Sequence, residues 1–285
     1  MNLAIRPMTP ADAAACGQVA FAAHQDVAAA HNFPSEQPSA AFATQMMQMK
    51  LQDPAASGFV AERDGQIVGS IFLNRFVPEI AVVGPLTVEP GAQGRTGRAL
   101  LEAVLAEARR QQVEGVRLVQ SPFHIRSLAL YTKLGFEVRE PLLLMQGTLP
   151  EAPGGAAAVR PAVHEDVGVC NQLALRLQGL QRELELRQAI DRGMASVAER
   201  DGQLVGYTTG IGLLGHAEAE TTADLQALIA ASPTIMGPGF FVPTRQAELL
   251  RWLLGAGMQG AWPATLMTMG RYQQPTGAFL PAISM

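Results

Sequence analysis

The chain has 285 residues, enough for two domains of about 140 residues each. Apolar residues make up 48% and charged residues 16%, which excludes a disordered chain, and no apolar run reaches the ~18 residues that a membrane span needs. The net charge of -4 argues against a nucleic-acid partner, because binding a phosphate backbone needs a basic face.

Leu3 to Arg6 reads as a short strand. Thr9-Pro10-Ala-Asp12 supplies an N-cap, a proline at the first helical position and an acid in the first turn. A helix follows to about Ala30, then a second from Ala40 to Leu51. Phe59–Arg63 and Gln66–Leu73 flank Asp64-Gly65, a dipeptide that favours a tight hairpin. A fourth strand runs from Ile80 to Val88. After a glycine-rich turn, a helix is expected from Arg98 to about Gln112, with Leu100, Leu101, Val104, Leu105 and Ala108 on one face. Val116–Gln120 reads as strand, Ser127–Leu134 as a helix ended by Gly135, and Phe136–Met145 as strand. The order β-α-α-β-β-β-α-β-α-β makes an α/β domain with a mixed sheet.

The chain then repeats itself. Val60-Ala-Glu-Arg-Asp-Gly-Gln-Ile-Val-Gly69 returns as Val197-Ala-Glu-Arg-Asp-Gly-Gln-Leu-Val-Gly206, and Ile5-Arg-Pro returns as Val159-Arg-Pro. Asp12, Cys16, Gln18 and Ala20 match Asp166, Cys170, Gln172 and Ala174 in the same order. The Pro- and Gly-containing segment Glu151–Ala158 suits an exposed connection, so the expected domains are 1–150 and 151–285. Two cysteines without CxxC spacing give neither a disulfide framework nor a structural metal site. The N-terminus lacks secretory features, so a cytoplasmic protein is expected.

The turn after the fourth strand carries the chemistry. In Gly84-Pro-Leu-Thr-Val-Glu-Pro-Gly-Ala-Gln-Gly-Arg-Thr-Gly-Arg-Ala-Leu-Leu101 a strand enters a turn with Gly91, Gly94 and Gly97, and a helix begins at once. Such a turn aims unpaired amides and a helix dipole at an anion, and Arg95 and Arg98 add charge-assisted donors. An ordinary strand-to-helix turn reads much the same. No Gly-Lys pair exists for a Walker loop, and a dinucleotide fingerprint would follow the first strand of a βαβ unit.

The element order, with V-x-P-x-x-Q-G-R-x-G-R-A-L after the fourth strand and Ser127-Leu-Ala-Leu-Tyr131-Thr-Lys-Leu-Gly135-Phe136 downstream, resembles the GNAT superfamily of acetyl-CoA-dependent N-acetyltransferases over residues 3–146. The resemblance implies two tandem GNAT-like acyltransferase domains. Acetyl-CoA would be co-substrate and a small amine the acceptor, with no metal, nucleic acid or membrane partner; oligomeric state stays open, a homodimer included. The fourth strand would splay from the fifth at Pro85. Leu86, Thr87 and Val88 would line the pantetheine arm, the amides of Gln93, Gly94, Arg95, Thr96, Gly97, Arg98 and Ala99 would cradle the pyrophosphate, and Ser127 would complete the coenzyme set. The loop is one residue shorter than the usual motif, and the Thr96 hydroxyl is a further candidate donor to phosphate.

By the same resemblance Tyr131 would protonate the departing thiolate. His124 has three roles open: hydrogen bonding to the coenzyme, proton shuttling, or capping the helix. The superfamily's glutamate mid-way along the fourth strand is missing; Glu79, Glu89, His24, His31 and Glu36 are candidates for a base, and a water relay or a base from the acceptor side would also serve. The second half is expected to be a degenerate copy. Met236–Arg251 would be the equivalent of the loop, without its glycines, and Arg182–Arg187 a solvated helix face. A non-catalytic acyl-CoA-binding or sensor protein is the alternative reading.

Overall fold

The structure, a computed structural model, describes residues 3–35, 37–75 and 77–283. The chain forms two compact units. The first takes Met1–Arg75, Glu79–Leu118 and Phe123–Gly135; the second takes Phe76–Pro78, Val119–Pro122 and Phe136–Met285.

In the first unit, β1 (Leu3–Pro7), β2 (Ala56–Arg63), β3 (Gln66–Asn74) and β4 (Ile80–Val88) form an antiparallel meander, and β5 (Gly115–Gln120) runs parallel to β4. Helices α1 (Ala13–His31) and α2 (Ala40–Gln52) bury Cys16, Ala20, Ala43 and Met47 against Val60 and Phe72. The two helices touch at Gly17, where a side chain would collide with the Thr44 backbone. The amphipathic α3 (Arg95–Arg110) buries Leu100, Leu101, Val104, Leu105 and Ala108. Its Leu100 lies against Gly69 of β3, where a Cβ would come within 3.0 Å of the leucine methyl. The short α4 (Ile125–Lys133) completes the unit. Helix α3 begins at Arg95 rather than at the expected Arg98, because Gly94 at φ 90° serves as its N-cap and lets the chain turn into the helix three residues sooner.

The second unit begins with β6 (Glu137–Gln146). It then repeats the series through β7 (Ala158–Pro161), α5 (Val167–Gln178), α6 (Glu183–Asp191), β8 (Ser196–Arg200), β9 (Gln203–Thr208), β10 (Ala217–Ala219) and α7 (Thr222–Ala231). The series continues with β11 (Phe240–Pro243), α8 (Ala247–Gly255), β12 (Gln259–Gly270) and β13 (Ala278–Leu280). One sheet runs β13-β10-β9-β8-β7. Strand β6 is not paired within the first unit: it lies between β12 and β11, antiparallel to both, from Gln146↔Gln259 to Glu137↔Thr268 and from Met145↔Phe240 to Leu142↔Pro243. The chain therefore crosses between compact units at Gly135–Phe136, ahead of the Glu151–Ala158 connection.

The repetition extends to individual ion pairs. Arg6 grips Asp12 with two hydrogen bonds (2.8 and 2.9 Å) and reaches Glu62 at 3.0 Å; Arg160 grips Asp166 (2.7 and 2.8 Å) and reaches Glu199 at 2.6 Å. In each copy this clasp ties the first strand, the turn into the first helix and the second strand. The guanidinium holds each aspartate below the usual carboxylate range.

Registers correct one expected equivalence. Gly69 faces Val88 across β3–β4, and Gly206 faces Ala219 across β9–β10; the Glu89 amide donates to Val68, and the Glu220 amide donates to Val205. The counterpart of the β4–α3 turn is thus Glu220–Thr222, not Met236–Arg251. The Gly237-Pro238 pair only imitates Gly84-Pro85, and β11, α8 and β12 repeat β5, α4 and β6.

Candidate functional site

The site begins where a strand ladder stops. β4 pairs with β5 only from Ile80↔Gly115 to Val82↔Arg117. Between Leu73↔Val83 and Ile71↔Leu86 on the other side, β4 carries an extra residue, a bulge at Gly84–Pro85. Proline lacks an N–H, so it donates nothing to either neighbour. The buried Asn74 side chain donates to the Val82 and Gly84 carbonyls at 3.4 Å each, and its own oxygen accepts from Lys50 Nζ at 3.3 Å. Lys50 lies over the Phe72 ring, and burial lowers its ammonium from the ordinary lysine value. Sequence reasoning missed Asn74; the signal was a polar residue inside the apolar run Ile71-Phe-Leu-Asn74.

Beyond the bulge, Leu86 and Val88 are half-buried. Thr87 turns inward, and its hydroxyl pairs with that of Ser70 at 3.0 Å. The turn Glu89–Gly94 then leads into α3. A Cβ built on Gly91 or Gly94 meets nothing within 4 Å, and the left-handed φ of Gly94 favours glycine there, so the turn presents bare backbone. The leading amides of α3 have no intrahelical acceptors and point out of its N-terminus. Gln93 is half-buried, Arg95 and Arg98 are exposed, and Arg98 holds Glu102 at 2.8 Å. Gly97 and Ala99 fall inside the helix, and a Cβ built on Gly97 would lie 3.6 Å from Leu130 of α4.

The Thr96 hydroxyl is not offered to phosphate. The residue is fully buried; its Oγ1 donates to the Ala92 carbonyl at 2.6 Å and accepts from Arg63 Nη2 at 3.0 Å. Thr96 and Arg63 therefore brace the turn from beneath, and the backbone amide is what Thr96 has left for an anion. Arg63 lies in the repeated decapeptide, where no role had been assigned to it.

Helix α4 brings up the remaining groups. Tyr131 is buried, and burial pushes its phenol up to about 12, so the hydroxyl keeps its proton throughout the neutral range. His124 is the N-cap residue, but its side chain makes no capping bond. Its carbonyl accepts from the Ser127 amide (3.0 Å), the Ser127 hydroxyl (2.8 Å) and the Leu128 amide (3.3 Å), which fixes the backbone and leaves the ring for other work. Of the three roles open to His124, capping is thereby removed.

The candidates for a base separate clearly. Glu79 precedes β4 at the end away from the turn, roughly 25–30 Å along the strand. Glu89 is exposed at the turn. Glu36 lies outside the described residues. His24 and His31, by contrast, act on the charge of His124, together with Arg126 and Asp26. The Phe123 ring stacks on Phe33 at 4.3 Å and meets His31 at 5.3 Å.

In the second unit each of these features has changed. Thr221 caps α7 directly, accepting from the Asp224 amide at 3.2 Å, so the glycine turn is gone. Arg200 grips Asp224 at 2.9 Å where Arg63 grips Thr96. By the matching helix ends, Leu253 occupies the position of Tyr131 and Gln246 that of His124. Arg182, expected on a solvated face, is buried instead: it bonds Glu185 at 2.8 Å and lies 3.4 Å from Glu218. Glu218 also accepts from Tyr207 (3.0 Å) and pairs with His216 (2.6 Å), all of them buried. Among the described residues, no group of three or more His, Cys, Asp or Glu side chains is placed to hold a metal ion, and no helix is long and apolar enough to cross a membrane.

A mixed sheet whose fourth and fifth strands part beside a glycine turn and a helix N-terminus, followed by a second run of the same element series without that turn, is a tandem GNAT fold. Residues 27–136 match the acetyltransferase (GNAT) family. The fold recurs along nearly the whole chain in a putative acetyltransferase from Pyrococcus horikoshii (TM-score 0.70, 18% identity, covering 99% of this chain and 95% of that one). It recurs also in a GCN5-related N-acetyltransferase from Sphaerobacter thermophilus (TM-score 0.63, 16% identity, covering 95% and 96%). No curated protein sequence matches the chain.

Proposed function

We propose that the chain moves the acetyl group of acetyl-CoA to a primary amine of a small acceptor, using the first repeat (1–150), with the second repeat (151–285) as its structural partner. The observation that carries this reading is the end of β4–β5 pairing at Val82↔Arg117, with the bulge at Gly84–Pro85 and the bare glycine turn beyond it. Strand backbone released from the ladder can bond the amides of a pantetheine arm, and the turn, bare of side chains at Gly91 and Gly94, lets phosphates come close to the first amides of α3. Leu86 and Val88 would supply the former, and the amides from Gln93 to Ala99 the latter. Arg95 and Arg98 add positive charge. Thr87 and Thr96 shape the site from within through their buried hydroxyls.

The bound co-substrate supplies the activated acetyl group. Tyr131, held protonated by burial, gives its proton to the departing sulfur. Ser127 fixes the backbone at His124, and His124 is the second catalytic candidate. The second repeat keeps none of these groups in place.

Calorimetric titration of the full chain with acetyl-CoA, followed by turnover with a panel of polyamines, amino acids and lysine-bearing peptides, tests the reading. One site per chain with transfer to an amine supports it. Binding without transfer to any amine would favour an acyl-CoA-binding protein, and no binding at millimolar acetyl-CoA would overturn both.

A further inference from the structure

Three of the five histidines, His24, His31 and His124, gather in the first unit, beyond the end of β5 that follows its last pairing with β4. His24 and His31 lie seven residues apart on α1, hence on one face, and that face meets the segment leading into α4 through the His31–Phe123 contact. This is the end of the parallel strand pair at which ligands collect in open α/β sheets.

We propose that His124 is the base that takes a proton from the acceptor ammonium; this rests on the acetyl-transfer reading. Acetylation strips two protons from an ammonium nitrogen. The first N–H bond breaks toward the unprotonated ring nitrogen of His124, leaving the electron pair on the acceptor nitrogen to form the bond to the acetyl carbon. The carbon–sulfur bond of the thioester then breaks with its electron pair on sulfur; Tyr131 protonates that sulfur and recovers a proton from the second N–H bond, while the proton on His124 passes to solvent, so the site returns to its starting state.

The surroundings suit the task. His124 is half-buried, its backbone is pinned by Ser127, and its ring is not spent on capping. The charged and titratable groups that act on it are Arg126 on α4 and His24, Asp26 and His31 on α1. Burial first, then Arg126, His31 and His24, lower its affinity for a proton, while Asp26 opposes them. A ring kept unprotonated at neutral pH is in the form that accepts a proton.

The test compares wild type with H124Q in the full chain. Acetyl-CoA affinity by calorimetry is expected to be unchanged. With the best aliphatic amine of the panel, kcat/KM falls by about 10²-fold, and the loss of rate on acidification through the histidine range disappears. Hydroxylamine, whose nitrogen is already unprotonated at neutral pH, narrows the deficit, which a merely structural defect would not allow. Arg126→Met moves the acid limb of the rate and the NMR titration of the His124 ring together to higher pH. An H124Q rate that tracks wild type across pH, or a deficit equal for both acceptors, would overturn the inference while leaving acetyl transfer standing. A wild-type protein that acetylates no amine would bring down both.

Discussion

Replacing Thr96 by valine tests whether the glycine turn is held in shape from beneath. Valine keeps the shape and both branches, so the change removes only the hydroxyl. Two hydrogen bonds go with it: the 2.6 Å bond to Ala92 O and the 3.0 Å bond from Arg63 Nη2. The Ala92 carbonyl keeps only the long 3.4 Å contact from Arg63, at a residue that is itself buried. A buried acceptor left poorly satisfied costs about 1–3 kcal/mol, beyond the small net worth of an ordinary hydrogen bond. If the turn relaxes in the free protein and must be re-formed around the phosphates, that cost reappears as lost affinity, at about tenfold per 1.4 kcal/mol. Urea unfolding and acetyl-CoA calorimetry on T96V, with Thr96→Ser as the hydroxyl-retaining control, read the two quantities side by side. T96V with wild-type stability and wild-type affinity would refute the bracing role.

Tyr131→Phe is expected to leave acetyl-CoA affinity intact and to slow transfer by about 10²-fold; an unchanged rate would return the phenol to core filling. The wild-type rate should also show no alkaline loss attributable to Tyr131 until pH approaches about 12. Asn74→Leu removes the acceptor for the buried Lys50 ammonium and the donor for the Val82 and Gly84 carbonyls, so both the urea midpoint and coenzyme affinity are expected to fall. In the second unit, burial keeps His216 from protonating, whereas the unfolded chain takes up a proton below about pH 6.5. Glu218, which burial would raise, is instead lowered, with hydrogen bonds from His216 and Tyr207 and the Arg182 charge acting on the carboxylate, and it has the same sign: unfolding takes up protons in acid. Stability should therefore decline as pH falls below about 6.5, and His216→Gln, which cannot titrate, should flatten the upper part of that decline in urea midpoints collected across pH.

Local signals carried much of the fold. The Thr9–Asp12 cap, the Asp64-Gly65 turn and the apolar face of α3 lie within a few residues of the structure they specify, and the order of elements along the first half of the chain followed from such signals. The glycine turn was legible because bare backbone before a helix has a compositional mark. What escaped depended on distant partners. Thr96 looked available because nothing nearby in sequence shows Arg63 reaching it from β2. Asn74 acquires its role only when β3 and β4 are registered. The second-repeat turn was misplaced because its three-residue replacement, Glu220-Thr221-Thr222, kept no glycine to be found by, while Gly237-Pro238 offered a false echo. Arg182 read as solvated because its partner Glu218 is 36 positions away.

Strand β6 makes the two repeats unequal in a further respect. Both of its neighbours, β11 and β12, are encoded after residue 238, so a polypeptide ending at the linker would hold β6 with two naked edges. The first repeat in the sequence therefore does not complete its own sheet: the backbone partners of its last strand come from β11 and β12, so removing the second repeat would cost the first a strand whatever the second contributes to chemistry.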